Sequence, residues 1–263
     1  MKLLVQSDDY GITKGAAQGA LEAIRNGIVR NTGLFANMTW AEECVEWIRP
    51  YFNQIAFGLD LNMSTGPALC NAEQIPDLLQ SNQMFLSSSM NRALDTDQNQ
   101  NDHCAVIEAQ IRLEFEAQIQ QYIKLTGKKP DYLHGHAYGT ETTLKISREL
   151  AQKYGCRYSM DLANEIKDMK MAGMGWYKFP PTYENQLADD PISFITADTD
   201  GLLKHQYAYL ITHCGYCDAP LIQLSSFNLN RLKDLEAMTS ATIKDWVKEN
   251  HIELINYNDL KGI

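Results

Sequence analysis

The stretch Lys2-Leu3-Leu4-Val5-Gln6-Ser7-Asp8-Asp9-Tyr10-Gly11 begins as a short apolar run and ends on two adjacent carboxylates and a glycine. An apolar run of strand length that closes on acids reads as a buried strand with a functional carboxyl end, because parallel α/β folds collect their active sites there. Residues 2–6 are the expected strand. Directly afterwards the period changes. Thr13 is placed to cap a helix whose apolar face is Ala17, Ala20, Leu21 and Ile24, at i, i+3, i+4 and i+7, with Gly27 near its end. A strand followed at once by an amphipathic helix is the repeating unit of a parallel sheet.

The unit recurs along the chain. Strands are expected at 31–38, 54–63, 132–136, 157–160, 192–197, 207–212 and 252–255, and helices at 41–49, 104–125, 142–154, 229–238 and 241–250. The helix at 104–125 carries the stripe Ile107, Ile111, Phe115, Ile119 and Ile123 and meets Gly127, while Ser240 is a cap for the last helix. Residues 81–103, rich in Asn, Gln, Ser and Asp, read as a long loop or excursion. Seven or eight strands without repeats or a linker predict one α/β domain over 1–263, a TIM-like (β/α) barrel, irregular or seven-stranded. An open doubly wound sheet is the alternative. No G-x-G-x-x-G follows a strand and no G-K-[ST] occurs, so dinucleotide and P-loop readings lack their fingerprints.

Composition narrows the function classes. With 44% hydrophobic and 21% charged residues the chain has the balance of a globular enzyme. Its 23 basic against 33 acidic residues leave a net charge of -10, which argues against nucleic-acid or anionic-membrane partners. The first apolar run stops at Gln6, too short for a secretion signal, and no stretch approaches the ~20 apolar residues of a membrane span. A cytoplasmic protein with six free thiols is therefore expected. Cys214 and Cys217 form a C-x-x-C, but zinc usually needs a second such pair.

Four polar clusters fall at expected strand ends: Asp8-Asp9, Asp60, His134 with His136, and His213. Two neighbouring carboxylates repel each other, and a divalent cation relieves that repulsion, leaving one to bind metal and one to act as base. A solvated acidic turn is the competing reading. His134 and His136 stand two apart and face one side of a strand, with Gly135 allowing close backbone approach; imidazoles beside a carboxylate suit Zn, Mn, Co or Fe. His103, His205 and His251 fit ordinary, partly buried histidines. His213 follows a strand, and an imidazole titrating near 6.5 suits an acid that protonates a leaving group. Metal, water, base and acid together describe metal-assisted hydrolysis. Tyr10, Trp40 and Trp176 are candidate sugar-stacking rings, with core packing as the competing role.

Read in order, these motifs resemble the YdjC-like carbohydrate deacetylases, the chitooligosaccharide deacetylase family. The resemblance covers nearly the whole chain: Asp8-Asp9-Tyr10-Gly11, Asn37-Met38, Gly58-Leu59-Asp60-Leu61-Asn62 with Gly66-Pro67, Thr126-Gly127-Lys128-Lys129-Pro130, Leu133-His134-Gly135-His136, His213-Cys214-Gly215-Tyr216, Ser225-Ser226-Phe227-Asn228 with Arg231, and Glu253-Leu254-Ile255. It implies a β/α-barrel-like fold and removal of an acetyl group from an N-acetylated mono- or oligosaccharide. Asp8 would then be the general base and His213 the general acid, with metal held by Asp9, Asp60 and His136. Tyr10, Asn37, Asn62 and Arg231 would face the substrate.

Two departures stand out. The family carries a histidine where this chain has Asp60, and its His-Leu-Asp-Ser-His is replaced by Tyr132-Leu133-His134-Gly135-His136. An Asp-Asp-His set is hard and favours Mg, with Zn, Mn or Co as alternatives. Three outcomes stay open: Asp60 ligates, His134 supplies the missing imidazole with Asp60 behind it, or the site no longer binds metal well. Rival functions are a metal hydrolase acting on another amide, an ester or a phosphate, and a non-catalytic saccharide-binding barrel. A homodimer is compatible with all of these.

Overall fold

The structure, a computed structural model, describes residues 1–97 and 102–263. Eight strands alternate with helices: β1 Lys2–Tyr10, β2 Asn31–Leu34, β3 Ala56–Leu61, β4 Tyr132–Gly135, β5 Arg157–Tyr158, β6 Met169–Met171, β7 Tyr207–Thr212 and β8 Glu253–Ile255. The helices among the described residues are α1 Lys14–Asn26, α2 Ala41–Ile48, α3 Ser88–Asp97, α4 Glu108–Thr126, α5 Glu141–Tyr154 and α6 Leu162–Glu165. They continue with α7 Tyr183–Leu187, α8 Pro191–Thr196, α9 Ala219–Leu224, α10 Leu229–Thr239 and α11 Ala241–Glu249.

All strand pairings are parallel, in the order β5-β4-β3-β2-β1-β7-β6, with β8 joined to the start of β1. Leu3 of β1 pairs with Leu254 of β8, whereas Gln6 farther along pairs with Asn31 of β2, so β8 and β2 share one edge of β1. The sheet curls into a TIM-like (β/α) half-barrel wrapped by helices, and among the described residues no pairing joins β5 to β6. The predicted α/β barrel class holds, in its irregular form.

Alternation decides what each face does. Leu4, Tyr132, Tyr209, Ile255 and Tyr257 point into the barrel and plug its lower half. The opposite faces, with Leu3, Val5, Phe57, Leu59 and Leu210, join α1, α4 and α5 in the larger outer core. Above the tyrosine plug the inward positions turn polar. Gln6 Oε1 accepts from the hydroxyls of Tyr209 and Tyr257 at 2.8 and 2.7 Å, which fixes its amide nitrogen toward Asp8.

Several elements differ from expectation. Residues 192–197 are not a strand: 192–196 lie in α8 and Ala197 is its C-cap, while Asp190 caps the start with its side chain and Pro191 takes the first position. Both are helix-start signals that outweigh the β-branched content. The strand on that side of β7 is β6, which borrows its ladder from β7. β5 keeps only Arg157–Tyr158 before a 3-10 turn at Ser159–Asp161. Within 81–103, helix α3 occupies Ser88–Asp97, and residues 98–101 lie outside the described residues. All six cysteines are free thiols. No described helix is long and apolar enough to cross a membrane.

Candidate active site

Alternation along β1 should send Asp8 and Asp9 to opposite faces, yet both line one cavity. The cause is at Asp9, whose φ of 64° lies in the left-handed region; the β1–β2 register is irregular between Ser7 and Tyr10. Asp tolerates this conformation better than most residues, and here it is held by a contact from below. The Asp9 N–H donates to Oδ2 of Asp60 at 2.6 Å. Ala137, just past His136, also has positive φ, at 54°. Backbone strain at two strand ends facing one cavity is the pattern of a working site.

Each aspartate is paired with one histidine of the β4 end. His134 Nε2 lies 3.0 Å from Asp8 Oδ2, and its Nδ1 lies 2.5 Å from the Ser159 hydroxyl. Burial alone would push His134 down, but the Asp8 charge and hydrogen bond raise it to about 9. The same pair works on Asp8: burial pushes it up, and His134 holds it below the usual carboxylate range. One level higher, His136 Nδ1 meets Asp9 Oδ1 at 2.8 Å, and Arg231 Nη2 donates to Asp9 Oδ2 at 2.6 Å. Burial opposes the charged form of Asp9, but the His136 and Arg231 charges keep it well below the ordinary value.

His213 differs. Its Nδ1 lies 3.2 Å from the Tyr177 hydroxyl, which donates to Asp234 Oδ2, and the same carboxylate oxygen accepts the His213 backbone N–H at 2.7 Å. Trp176 Nε1 donates to the other oxygen of Asp234 at 3.1 Å. Because the tyrosine proton goes to Asp234, the tyrosine oxygen receives Nδ1–H of His213, and Nε2 is left as a bare acceptor. Burial lowers His213 to about 4 despite the nearby charges of Asp9 and Asp8. It is therefore neutral at pH 7, with Nε2 open to accept a proton, where an unperturbed imidazole would be partly charged. Burial raises Asp234 to about 7, with hydrogen bonds from Tyr177, His213 and Trp176 opposing the rise.

Asp8, Asp9, His134, His136 and His213 thus meet around one cavity of about 510 Å³. Other candidates stand elsewhere. Tyr10 is fully buried, packs edge-on against Phe57 and donates to the Cys44 carbonyl, so it is a core residue and not a substrate ring. Asn37 and Asn62 are buried and bind the Thr65 carbonyl, building the turn behind β3 and not touching the cavity. Arg231 acts through Asp9 from beneath. Trp40 donates to the Gly11 carbonyl and Trp176 to Asp234, both within the protein. Tyr177 and Asp234 were not singled out in the sequence; the spacing of Arg231 and Asp234, i and i+3 on α10, is the signal that pairs them on one helix face.

The expected three-donor metal set does not assemble. Asp9 Oδ1 and His136 Nδ1, 2.8 Å apart, are near enough to share a cation. Asp60 is wholly buried and absent from the cavity wall. Its Oδ2 accepts from the Asp9 backbone, and its Oδ1, without a partner among the described residues, faces Gly33, where a Cβ would come within 1.8 Å. Burial, and the Asp8 charge after it, push the Asp60 carboxyl well above its ordinary value. Among the described residues no three His, Cys, Asp or Glu side chains are grouped to hold a metal.

The whole chain has recognisable relatives. Carbohydrate deacetylases from Thermoanaerobacter pseudethanolicus and Clostridium beijerinckii are each 26% identical to it, over 98% and 99% of this chain and 99% and 100% of theirs. The crystal structure of a proposed cellobiose-phosphate cleavage protein from Enterococcus faecalis superimposes with a TM-score of 0.77 at 21% identity, covering 98% of both chains, and shares the fold. The YdjC-like protein family profile matches residues 2–249, and this chain belongs to that family.

Proposed function

We propose that this protein is a carbohydrate deacetylase that hydrolyses the N-acyl amide of a small saccharide. The observation that carries the reading is the meeting of two Asp–His pairs and a neutral third histidine on one cavity. Full-length relatives named carbohydrate deacetylase support the substrate class.

His213 Nε2 takes a proton from water as the water oxygen bonds to the amide carbon. It then gives that proton to the amine nitrogen as the C–N bond breaks, releasing carboxylate and amine. One residue serves as base and then acid, which a resting neutral imidazole can do and a resting imidazolium cannot. Tyr177 and Asp234 hold its tautomer and stabilise the imidazolium formed in between. Asp8 is a less apt base than its sequence position suggests, since Gln6 and His134 already engage both its oxygens. The charges of Asp8 and Asp9 are balanced by His134 and Arg231, so the floor does not repel a developing oxyanion. A cation shared by Asp9 and His136 would supply a Lewis acid, but two donors hold one weakly.

The test is acetate release from N-acetylated mono- and disaccharides by the purified protein, with and without chelator. Release is expected, largely retained in chelator, and His213→Asn is expected to lower kcat/KM by about 10²–10⁴. No acetate from any such sugar, or full activity in His213→Asn, sinks the reading. Loss in chelator with recovery on adding Mg would return a metal to the chemistry.

A further inference from the structure

The cavity has a second character that deacetylation does not use. Away from the Asp–His floor its wall is hydrocarbon: Leu144, Met160, Met171, Met174 and Ile211, with Phe115 behind them. This wall follows the break in the sheet. Tyr158 and Met160 come from the end of β5, and Met171, Ala172 and Met174 from the end of β6, the two strands that no pairing joins among the described residues. The seam of the half-barrel is therefore lined with side chains and opens beside the catalytic groups.

Three hydroxyls on this wall are already engaged within the protein. The Tyr138 hydroxyl donates to Asp95 at 2.8 Å, Thr143 to the Thr140 carbonyl at 3.0 Å, and Ser147 to the Thr143 carbonyl at 2.8 Å. Among the described residues no Asn, Gln, Glu, Lys, Arg or Trp lines the cavity. These are among the side chains that hold sugar hydroxyls or stack on sugar rings, and the aspartates that could also do so sit on the floor, engaged by His134, His136 and Arg231. Methionines, unbranched and polarizable, instead adapt to a flexible apolar ligand. Met160 and Met174 are 42% and 49% exposed at the mouth, an apolar surface that occupancy would cover. An acetyl group offers one methyl, far less than a cavity of about 510 Å³ with such a wall can bury.

We propose that the seam between β5 and β6 is an acyl-chain channel, so that the preferred substrate is an N-acyl amino sugar with a medium-length acyl chain and not an acetyl. This rests on the amide-hydrolase reading above. The carbonyl sits over Asp8, His134 and His213, the tail runs along Met171 and Ile211 toward Met160 and Met174, and the sugar stays at the solvent side. The chemistry is unchanged: water adds to the carbonyl carbon, the C–N bond breaks, and a fatty carboxylate leaves with the free amine.

The probes are N-acetyl-, N-butanoyl-, N-hexanoyl- and N-octanoylglucosamine, followed by free-amine release. kcat/KM is expected to rise about three- to fourfold per added methylene until the channel is filled. The double variant Met160→Ser, Met174→Ser, at exposed positions that the fold does not depend on, is expected to lower the hexanoyl-to-acetyl ratio of kcat/KM. A rate highest for acetyl and falling with chain length overturns the channel while leaving the deacetylase reading intact. An unchanged ratio in the double variant overturns it equally. Release from none of the four overturns both.

Discussion

His134 and His213 look onto the same cavity from β4 and β7, yet one is held charged and the other neutral. Desolvation acts against the charge of both. What differs is contact. His134 has a carboxylate at 3.0 Å, whereas His213 has a tyrosine oxygen at 3.2 Å and sees Asp8 and Asp9 only through space. A carboxylate within hydrogen-bond reach outweighs burial here, and carboxylates acting only through space do not. One cavity thereby acquires a fixed cation and a resting base without an external ligand.

The comparison breaks most visibly at Asp8. Asp8→Asn removes the partner of a buried ion pair and is expected to cost about 3 kcal/mol, measured by denaturant unfolding at pH 6. The pH dependence carries the sharper signature. His134 titrates at about 9 folded against 6.5 as a free side chain, so its pair contributes fully below pH 6.5 and is lost as pH rises through about 9. Wild type should lose stability over that alkaline window, and Asp8→Asn should not. An identical alkaline slope in both would mean that His134 is not charged by Asp8.

Tyr177 tests the other half. With Tyr177→Phe the Nδ1 proton of His213 loses its acceptor and the two tautomers compete, so kcat should fall on the order of tenfold with KM unchanged. The pH profile separates this from a packing defect. Wild-type activity should rise through about pH 4 as His213 deprotonates, and the variant's acid limb should move. A variant with the wild-type limb and kcat would reduce Tyr177 to packing.

How much of this could be read from the chain depends on the range of the forces involved. The i, i+2 spacing of His134 and His136 put both imidazoles on one face, and the β1 pattern located the acids, because strand alternation is local. That Asp8 and Asp9 would share a cavity was not local: it needs left-handed backbone at Asp9, held by Asp60 from 51 residues away. Tyr177, between β6 and α7, reaches His213 only through tertiary packing and had no motif to announce it. The helix at 191–196 was written in Asp190-Pro191 and lost to its β-branched residues. β6 is three residues long, too short to register as a period, and exists because β7 offers it an edge.

Asp60 gives the smallest expected effect and the most discriminating one. Asp60 and Asp8 are both buried carboxyls, and burial together with the charge of Asp8 pushes Asp60 toward its neutral form. Asparagine imitates a protonated aspartic acid: its carbonyl can accept from the Asp9 backbone, and its amide can occupy the space over Gly33. Asp60→Asn should therefore change stability by less than about 1 kcal/mol near neutral pH and leave activity near wild type, in contrast to Asp8→Asn. A metal ligand behaves otherwise, because exchanging its carboxylate for an amide removes the charge that holds the cation. Activity lost in Asp60→Asn and recovered at high Mg would assign Asp60 to a metal, whereas retained activity leaves it as the buried acceptor that turns Asp9 toward the cavity.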